Sequence, residues 1–187
     1  RALTAVEGAI LLVDATQGIQ AQTLANLRLA VKAGLKVIGA INKVDLRSND
    51  LDALVMEMSK LIGSSPEEIF KVSAKTGAGV KELLEGVIKK IPEPRLIRQL
   101  ADKNFRAMIF NSFYDDHQGI IASVRVFDNS VKIDDEIEFV ATKFRGKIKT
   151  VGYFLPSLKP VKELLAGEIG YLVTGLKDPE KIKIGDT

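Results

Sequence analysis

Two short polar clusters carry the chemistry that this sequence can do. The first is Asn42-Lys43-Val44-Asp45, which ends the apolar run VIGAI at residues 37–41. The second is Ser73-Ala74-Lys75, which ends FKV at residues 70–72. A carboxylate can accept two parallel N–H bonds at once, and such a charge-assisted pair is strong and directional. Guanine presents that pair, at N1 and N2, beside an acceptor at O6. Adenine has a lone pair at N1 and no amine at C2, so it would leave the carboxylate unpaired. A site of this kind separates the two bases by orders of magnitude. Asp45 has the right chemistry for it. Asn42 can donate and accept around N7 and O6, and can tie neighbouring loops together. The stems of Lys43 and Lys75 can lie on the two faces of a base. Ser73, Ala74 and Lys75 are expected to offer backbone N–H groups to O6. Val44 is expected to point away and to be free to vary.

The elements that must hold these residues follow from hydrophobic period. GAILLVDAT (residues 8–16), KVIGAI (36–41) and FKVSA (70–74) read as buried strands. Between them lie helical patterns. Residues 20–34 place Leu24, Leu27 and Val31 on one face, with Gly34 as a stop. Residues 49–63 place Leu51, Leu54, Val55, Met58, Leu61 and Ile62 inward, with Asn49 or Asp50 as the cap and Gly63 at the end. Ser65 caps a short turn that opens on Pro66. Residues 79–91 turn Val80, Leu83, Leu84, Val87 and Ile88 inward. Strands alternating with helices mean an α/β layer with a parallel sheet. Ligands bind at the carboxyl ends of such strands, which is where both polar clusters fall.

IPEPR (residues 91–95) breaks this pattern with two prolines. Beyond it the period changes from 3.6 to 2. Strand-like stretches at 105–114, 119–127, 130–140, 146–154 and 168–176 predict a small closed β-barrel. The expected organisation is therefore α/β plus all-β: a first domain over 1–92, a linker over 93–104 and a barrel over 105–187.

The composition excludes several classes. The 187 residues carry a net charge of +3, with +2 on residues 1–91 and +1 on 92–187, so neither half is a polyelectrolyte. Any nucleic-acid contact must come from a local patch. There is no cysteine, hence no disulfide framework. No apolar run approaches the ~20 residues of a membrane span, and no signal peptide is visible. The chain opens on Arg1 in what looks like an element already under way, and a piece of a longer protein is expected. His117, the single histidine, sits beside Asp115 and Asp116 and is expected to be a solvated loop residue, so no metal ligand is predicted.

Lys143, Arg145, Lys147 and Lys149 alternate with Phe144, Gly146 and Ile148. On a strand, the four cations share one face. They are read either as a solvated face or as a stripe that contacts phosphates.

N-K-x-D followed by S-A-K resembles the fourth and fifth sequence motifs of P-loop GTPases. VDATQGIQAQT (residues 13–23) resembles the D-A-x-x-G-x-x-x-Q-T run of translational GTPases. NSFYDDHQGIIASVRVFDNSVKIDDEIEF and VGYFLPSLKPVKELLAGEIGYLVTGLKD resemble the second domain of the LepA, or elongation factor 4, family. The resemblance covers essentially the whole chain. It implies a Rossmann-like GTP-binding domain followed by a β-barrel, and ribosome-stimulated hydrolysis of GTP to GDP and phosphate. It assigns guanine recognition to Asn42, Lys43 and Asp45, supported by Ser73, Ala74 and Lys75.

The same resemblance implies Mg2+ in the full-length enzyme and the ribosome as partner. It implies a cytoplasmic monomer, at most peripherally associated with the inner membrane face, with no DNA partner. The basic stripe becomes a ribosome contact. Alternatives are another translational GTPase, of the elongation factor G or TypA type, or a non-catalytic ribosome-binding module. The sequence has no G-x-x-x-x-G-K-[ST] phosphate loop and no switch sequence, so no catalytic residue is expected here, and the apolar strand at 8–16 is expected to lack a neighbour on one side. Many barrels of this kind have Gly where Asp134 stands; this turn is expected to manage without a positive φ.

Overall fold

The computed structural model describes residues 2–46, 50–94 and 104–187. They form two compact units, Val6–Glu93 and the described part of Pro94–Thr187 together with residues 2–5. Most of the predicted linker, residues 95–103, lies outside the described residues, as does Asn49.

The first unit is a parallel sheet in the order β1 (Gly8–Asp14), β2 (Lys36–Asn42), β3 (Phe70–Lys71). It is covered by α1 (Ala21–Lys32), α2 (Leu51–Ile62) and α3 (Val80–Lys90). β2 is central and buried on both faces. Ile41 packs with Leu11, Val13, Leu27, Leu54, Val55 and Met58 on one side. Ile38 and Ala40 pack with Val72 and Leu83 on the other. α2 is the helix the period predicts: Asp50 caps it by accepting from Ala53 N–H at 3.3 Å, and Gly63 ends it at φ 69°.

Three expectations need correction. β1 is an edge among the described residues, as expected, but it alternates rather than being wholly buried: Leu11 and Val13 are inside, while Ile10 is 41% and Leu12 54% exposed. In α1 the buried stripe is narrow, Leu27 and Ala30, which leaves Leu24 and Val31 exposed. In α3 the contact runs through Leu83 and Gly86, where a Cβ would lie 2.2 Å from the Phe70 ring. Leu84 sits about 100° and Ile88 about 140° round the helix from Leu83, and both about 160° from Gly86. They are 55% and 80% exposed instead of inward. Periodicity locates an apolar face; only the neighbouring layer decides how much of it is covered.

The second unit is all-β. A five-stranded antiparallel sheet runs β10-β9-β12-β5-β4. Its strands are β4 (Arg106–Asp115), β5 (Gly119–Asp128), β9 (Thr150–Leu155), β10 (Ser157–Val161) and β12 (Ile169–Val173). Two ribbons complete it. One pairs β6 (Ser130–Lys132) with β11 (Glu163–Leu165), the other β7 (Glu136–Phe139) with β8 (Phe144–Lys147). They enclose a core that includes Ile109, Val124, Val126, Val131, Ile148, Val151 and Leu164.

There are thus nine described strands where five stretches were expected, and they do not form one continuous ring. The chain end lies along β4: Ile109 N–H donates to Asp186 at 2.9 Å and Gly185 N–H to Ile109 at 2.7 Å. The stretch 130–140 divides because Asp134 takes a left-handed backbone, φ 71°, against expectation. Asp tolerates that region better than most residues. Asp135 braces the bend by accepting from Lys132 N–H at 2.9 Å. β10 went unpredicted because Pro160 lies within it. As an edge strand, β10 accommodates a residue without an N–H. A cavity of about 490 Å3 in this unit is walled by core residues such as Phe105, Ile109, Phe139 and Leu172. None of the residues predicted to bind a nucleotide lines it.

Candidate functional site

The polar clusters meet at the carboxyl edge of the parallel sheet. Asp14 ends β1 and stands opposite Asn42, which ends β2. Ala15 N–H donates to Asn42 O at 2.9 Å and continues the ladder one step past the strands. The chain then turns at Lys43, whose φ is 65°. A non-glycine residue in that region is uncommon and is held there by its surroundings. The turn sends Val44 back onto the core around Ile41 and Leu54, with its N–H on Val72 O at 3.3 Å. Val44 is therefore a packing residue, not the free position expected.

Asp45 and Ser73 come together from opposite sides of the loop region. Ser73 is wholly buried, and its Oγ donates to Asp45 Oδ1 at 2.6 Å. That bond is the main reason the Asp45 carboxyl sits below its ordinary range. Desolvation opposes the shift, and Lys75 and Lys43 add to it from a distance. Asn42 Oδ1 accepts from Ala74 N–H at 3.0 Å. This is the loop tie that an amide at this position can make, and it leaves Nδ2 as a donor. Gly79 closes the loop from Ser73 to α3 at φ 69°, where a Cβ would lie 2.1 Å from Lys71 O, so a side chain is excluded twice over.

The expected trio of backbone donors is reduced. Ser73 N–H donates to Ala78 O at 2.9 Å and Ala74 N–H is taken by Asn42. Lys75 is left with the backbone N–H that has no partner among the described residues.

Asp14 and Thr16 were not assigned a role from sequence. Lys43 Nζ reaches Asp14 Oδ2 at 2.6 Å. Thr16 holds the other oxygen through its N–H at 2.8 Å and its Oγ1 at 2.7 Å. Lys43, then Thr16, lower the Asp14 carboxyl to about 2. The rule that singled out Asn42, a polar residue ending an apolar strand, applies equally to Asp14.

Residues 1–93 match the elongation factor Tu GTP-binding domain. Over its whole length the chain is 44% identical to elongation factor 4 of Thermotoga maritima and 46% identical to that of Micrococcus luteus. The chain belongs to the elongation factor 4 family. It covers 30% of the length of those two relatives. Among solved structures, a bacterial selenocysteine-specific elongation factor superposes with a TM-score of 0.72 at 25% identity, over 98% of this chain and 31% of that one. Translation elongation factor SelB from Methanococcus maripaludis, in its apo form, shares the fold, with a TM-score of 0.70 at 23% identity over 99% of this chain and 41% of that one. Membership of the elongation factor 4 family accords with the α/β unit and the all-β unit described above.

In this member of the elongation factor 4 family the basic stripe is mostly paired. β8 holds Arg145 and Lys147; Lys143, at φ 56°, precedes the strand and Lys149 follows it. Exposure alternates from 143 to 149 as predicted. Across the ribbon, however, Glu138 pairs with Arg145 at 2.8 Å and Lys143 at 3.7 Å, and Glu136 approaches Lys147 at 4.0 Å. Among the described residues Lys149 is the stripe cation without an acidic partner. His117 is a loop residue, as expected, its N–H on Asp115 Oδ1 at 2.9 Å. Among the described residues no group of three acidic or histidine side chains is placed to hold a metal ion. None of the described helices is long and apolar enough to cross a membrane.

Proposed function

We propose that Asn42, Lys43, Asp45, Ser73, Ala74 and Lys75 form a guanine-reading site, and that the whole protein is a ribosome-associated translational GTPase converting GTP to GDP and phosphate. The observation that carries this reading is the Ser73–Asp45 bond at the carboxyl edge of the sheet. It fixes a carboxylate that remains exposed on its outer side. A carboxylate oxygen has two lone pairs, so Oδ1 can keep Ser73 and still take one purine N–H while Oδ2 takes the other. Asn42 Nδ2 is a donor for N7, and Lys75 N–H is a donor for O6. The stems of Lys43 and Lys75 flank the ring.

In this proposal residues 1–92 are the base-reading part of a GTP-binding domain without its phosphate loop and switches. Residues 93–104 are a linker, and residues 105–187 are the second domain. GTP and GDP are the nucleotides. Mg2+ serves the phosphates in the whole protein. The all-β unit, through Lys149 and the stripe beside it, contacts ribosomal RNA or protein by charge. The protein works in the cytoplasm as a monomer, with at most a peripheral association with the inner membrane face and no DNA partner.

The test is a change of base preference in a protein of the relatives' length. Asp45→Asn puts an amide N–H where xanthine offers an acceptor. Affinity for GDP should fall by at least about a hundredfold while affinity for xanthosine diphosphate rises. Unchanged GDP affinity would mean the base lies elsewhere.

A further inference from the structure

Each functional side chain of the Asn42-Lys43-x-Asp45 run is held by a different neighbour. Ala74 N–H holds Asn42, Ser73 Oγ holds Asp45, and Asp14 holds Lys43. The first two holders sit in the loop after β3. The third stands apart, at the end of β1. We propose that Asp14, braced by Thr16, is the positioning residue that fixes Lys43 as a shelf for the purine and so sets the affinity of the site for guanine nucleotides. This rests on the guanine reading above.

The geometry is that of a preset clamp. Thr16 occupies Asp14 Oδ1 twice, with its N–H and its hydroxyl, so the carboxylate plane is set before Lys43 arrives. Oδ2 is thereby aimed at Nζ, 2.6 Å away. The Ala15 N–H bond to Asn42 O ties the backbone beside Asp14 to the strand that carries Lys43. Asp14 is the sheltered partner, with its side chain 20% exposed, and Lys43 the accessible one, at 50%. With its ammonium anchored on Asp14, the half-exposed lysine side chain keeps stem surface open to a base. A free lysine loses among the most rotamer freedom of any side chain on being ordered. A lysine already pinned has less to lose when a base settles on it.

The experiment measures equilibrium binding of a fluorescent GDP to a protein of the relatives' length. Asp14→Asn keeps an oxygen for Thr16 but points an NH2 at the ammonium. Affinity should fall about tenfold, in line with losing a preordered side chain. In a Lys43→Met background the same change should cost less than about twofold. A purely structural role would cost the same in both backgrounds, and equal losses overturn the proposal. So does full GDP affinity for Asp14→Asn alone. Thr16→Val, which removes one brace and no charge, is the second variant; a smaller loss, again confined to the background with Lys43 present, is expected. Asp45→Asn run in parallel separates the two claims. If it switches base preference while Asp14→Asn changes nothing, only the role of Asp14 fails. If it leaves GDP binding intact, the guanine reading fails and takes Asp14 with it.

Discussion

Ser73 Oγ lies 2.6 Å from Asp45 Oδ1, and Ser73 is wholly buried while Asp45 is exposed. The buried hydroxyl orients an exposed acid. Thr76 N–H in turn donates to the same hydroxyl oxygen at 3.2 Å, so the serine rotamer is itself fixed. Ser73→Ala should therefore weaken GDP binding by about tenfold, the worth of one hydrogen bond to a charged group, without altering the preference for guanine over xanthine. Asp45→Asn should alter that preference. Titration of both variants with both diphosphates distinguishes orientation from recognition.

Gly79 links the fold to this site. Its left-handed backbone and the 2.1 Å approach of a Cβ to Lys71 O leave no room for alanine. Gly79→Ala should cost about 2 kcal/mol or more of stability and displace the loop that carries Ser73. Urea unfolding should show a lower midpoint, with GDP binding weakened in the same variant. In contrast, Met58→Ala in the wholly buried core should cost about 2–5 kcal/mol and leave the affinity of the folded fraction unchanged.

Acid should act through two carboxylates. Asp14 is lowered from 3.8 to about 2, chiefly by Lys43, and Asp45 is lowered chiefly by Ser73. A depressed folded-state value contributes stability that is complete above the unfolded value and lost as pH falls through the folded one. For Asp14 that window runs from 3.8 down to about 2. The Asp14 contribution to melting temperature should therefore be complete and independent of pH near neutrality and be lost only below 3.8. Asp14→Asn should flatten that part of the acid limb, as read by circular dichroism melts across the range.

Charge on the β7–β8 ribbon gives a prediction with opposite signs. Glu136 and Glu138 lie against three of the four stripe cations and cancel two of their four charges. Replacing Lys143, Arg145, Lys147 and Lys149 with Gln should flatten the salt dependence of ribosome co-sedimentation, by up to about one unit of log–log slope per cation released from a phosphate. Replacing Glu136 and Glu138 with Gln should steepen it. An unchanged slope in both variants removes the ribbon from the interface.

Local sequence carried a large part of this molecule. The apolar run of residues 37–41, ending in Asn42, marked both a central strand and its polar end, where the proposed site lies, because period and polarity are short-range properties. Leu54, Val55 and Met58 could be placed inside for the same reason, as could the Asp50 cap and the Gly63 stop. The sequence by itself determined the change from an α/β layer to an all-β unit beyond Pro92 and the residue types able to read guanine.

What it could not determine depended on distant partners. Ile10, Leu12, Leu84 and Ile88 have the pattern of core residues, yet exposure is decided by whether another layer lies over them. Asp134 is permitted either backbone sign by its chemistry, and the pairing of 130–132 with 163–165 selected the bend. The stripe at 143–149 is basic in sequence and half neutralised in space, because an adjacent strand brings two glutamates across. Asp14 and Lys43 are 29 residues apart, and Asp45 and Ser73 are 28. No local rule joins them. Only the parallel register of β1, β2 and β3 sets their ends side by side, where a hydrogen bond of 2.6 Å can form.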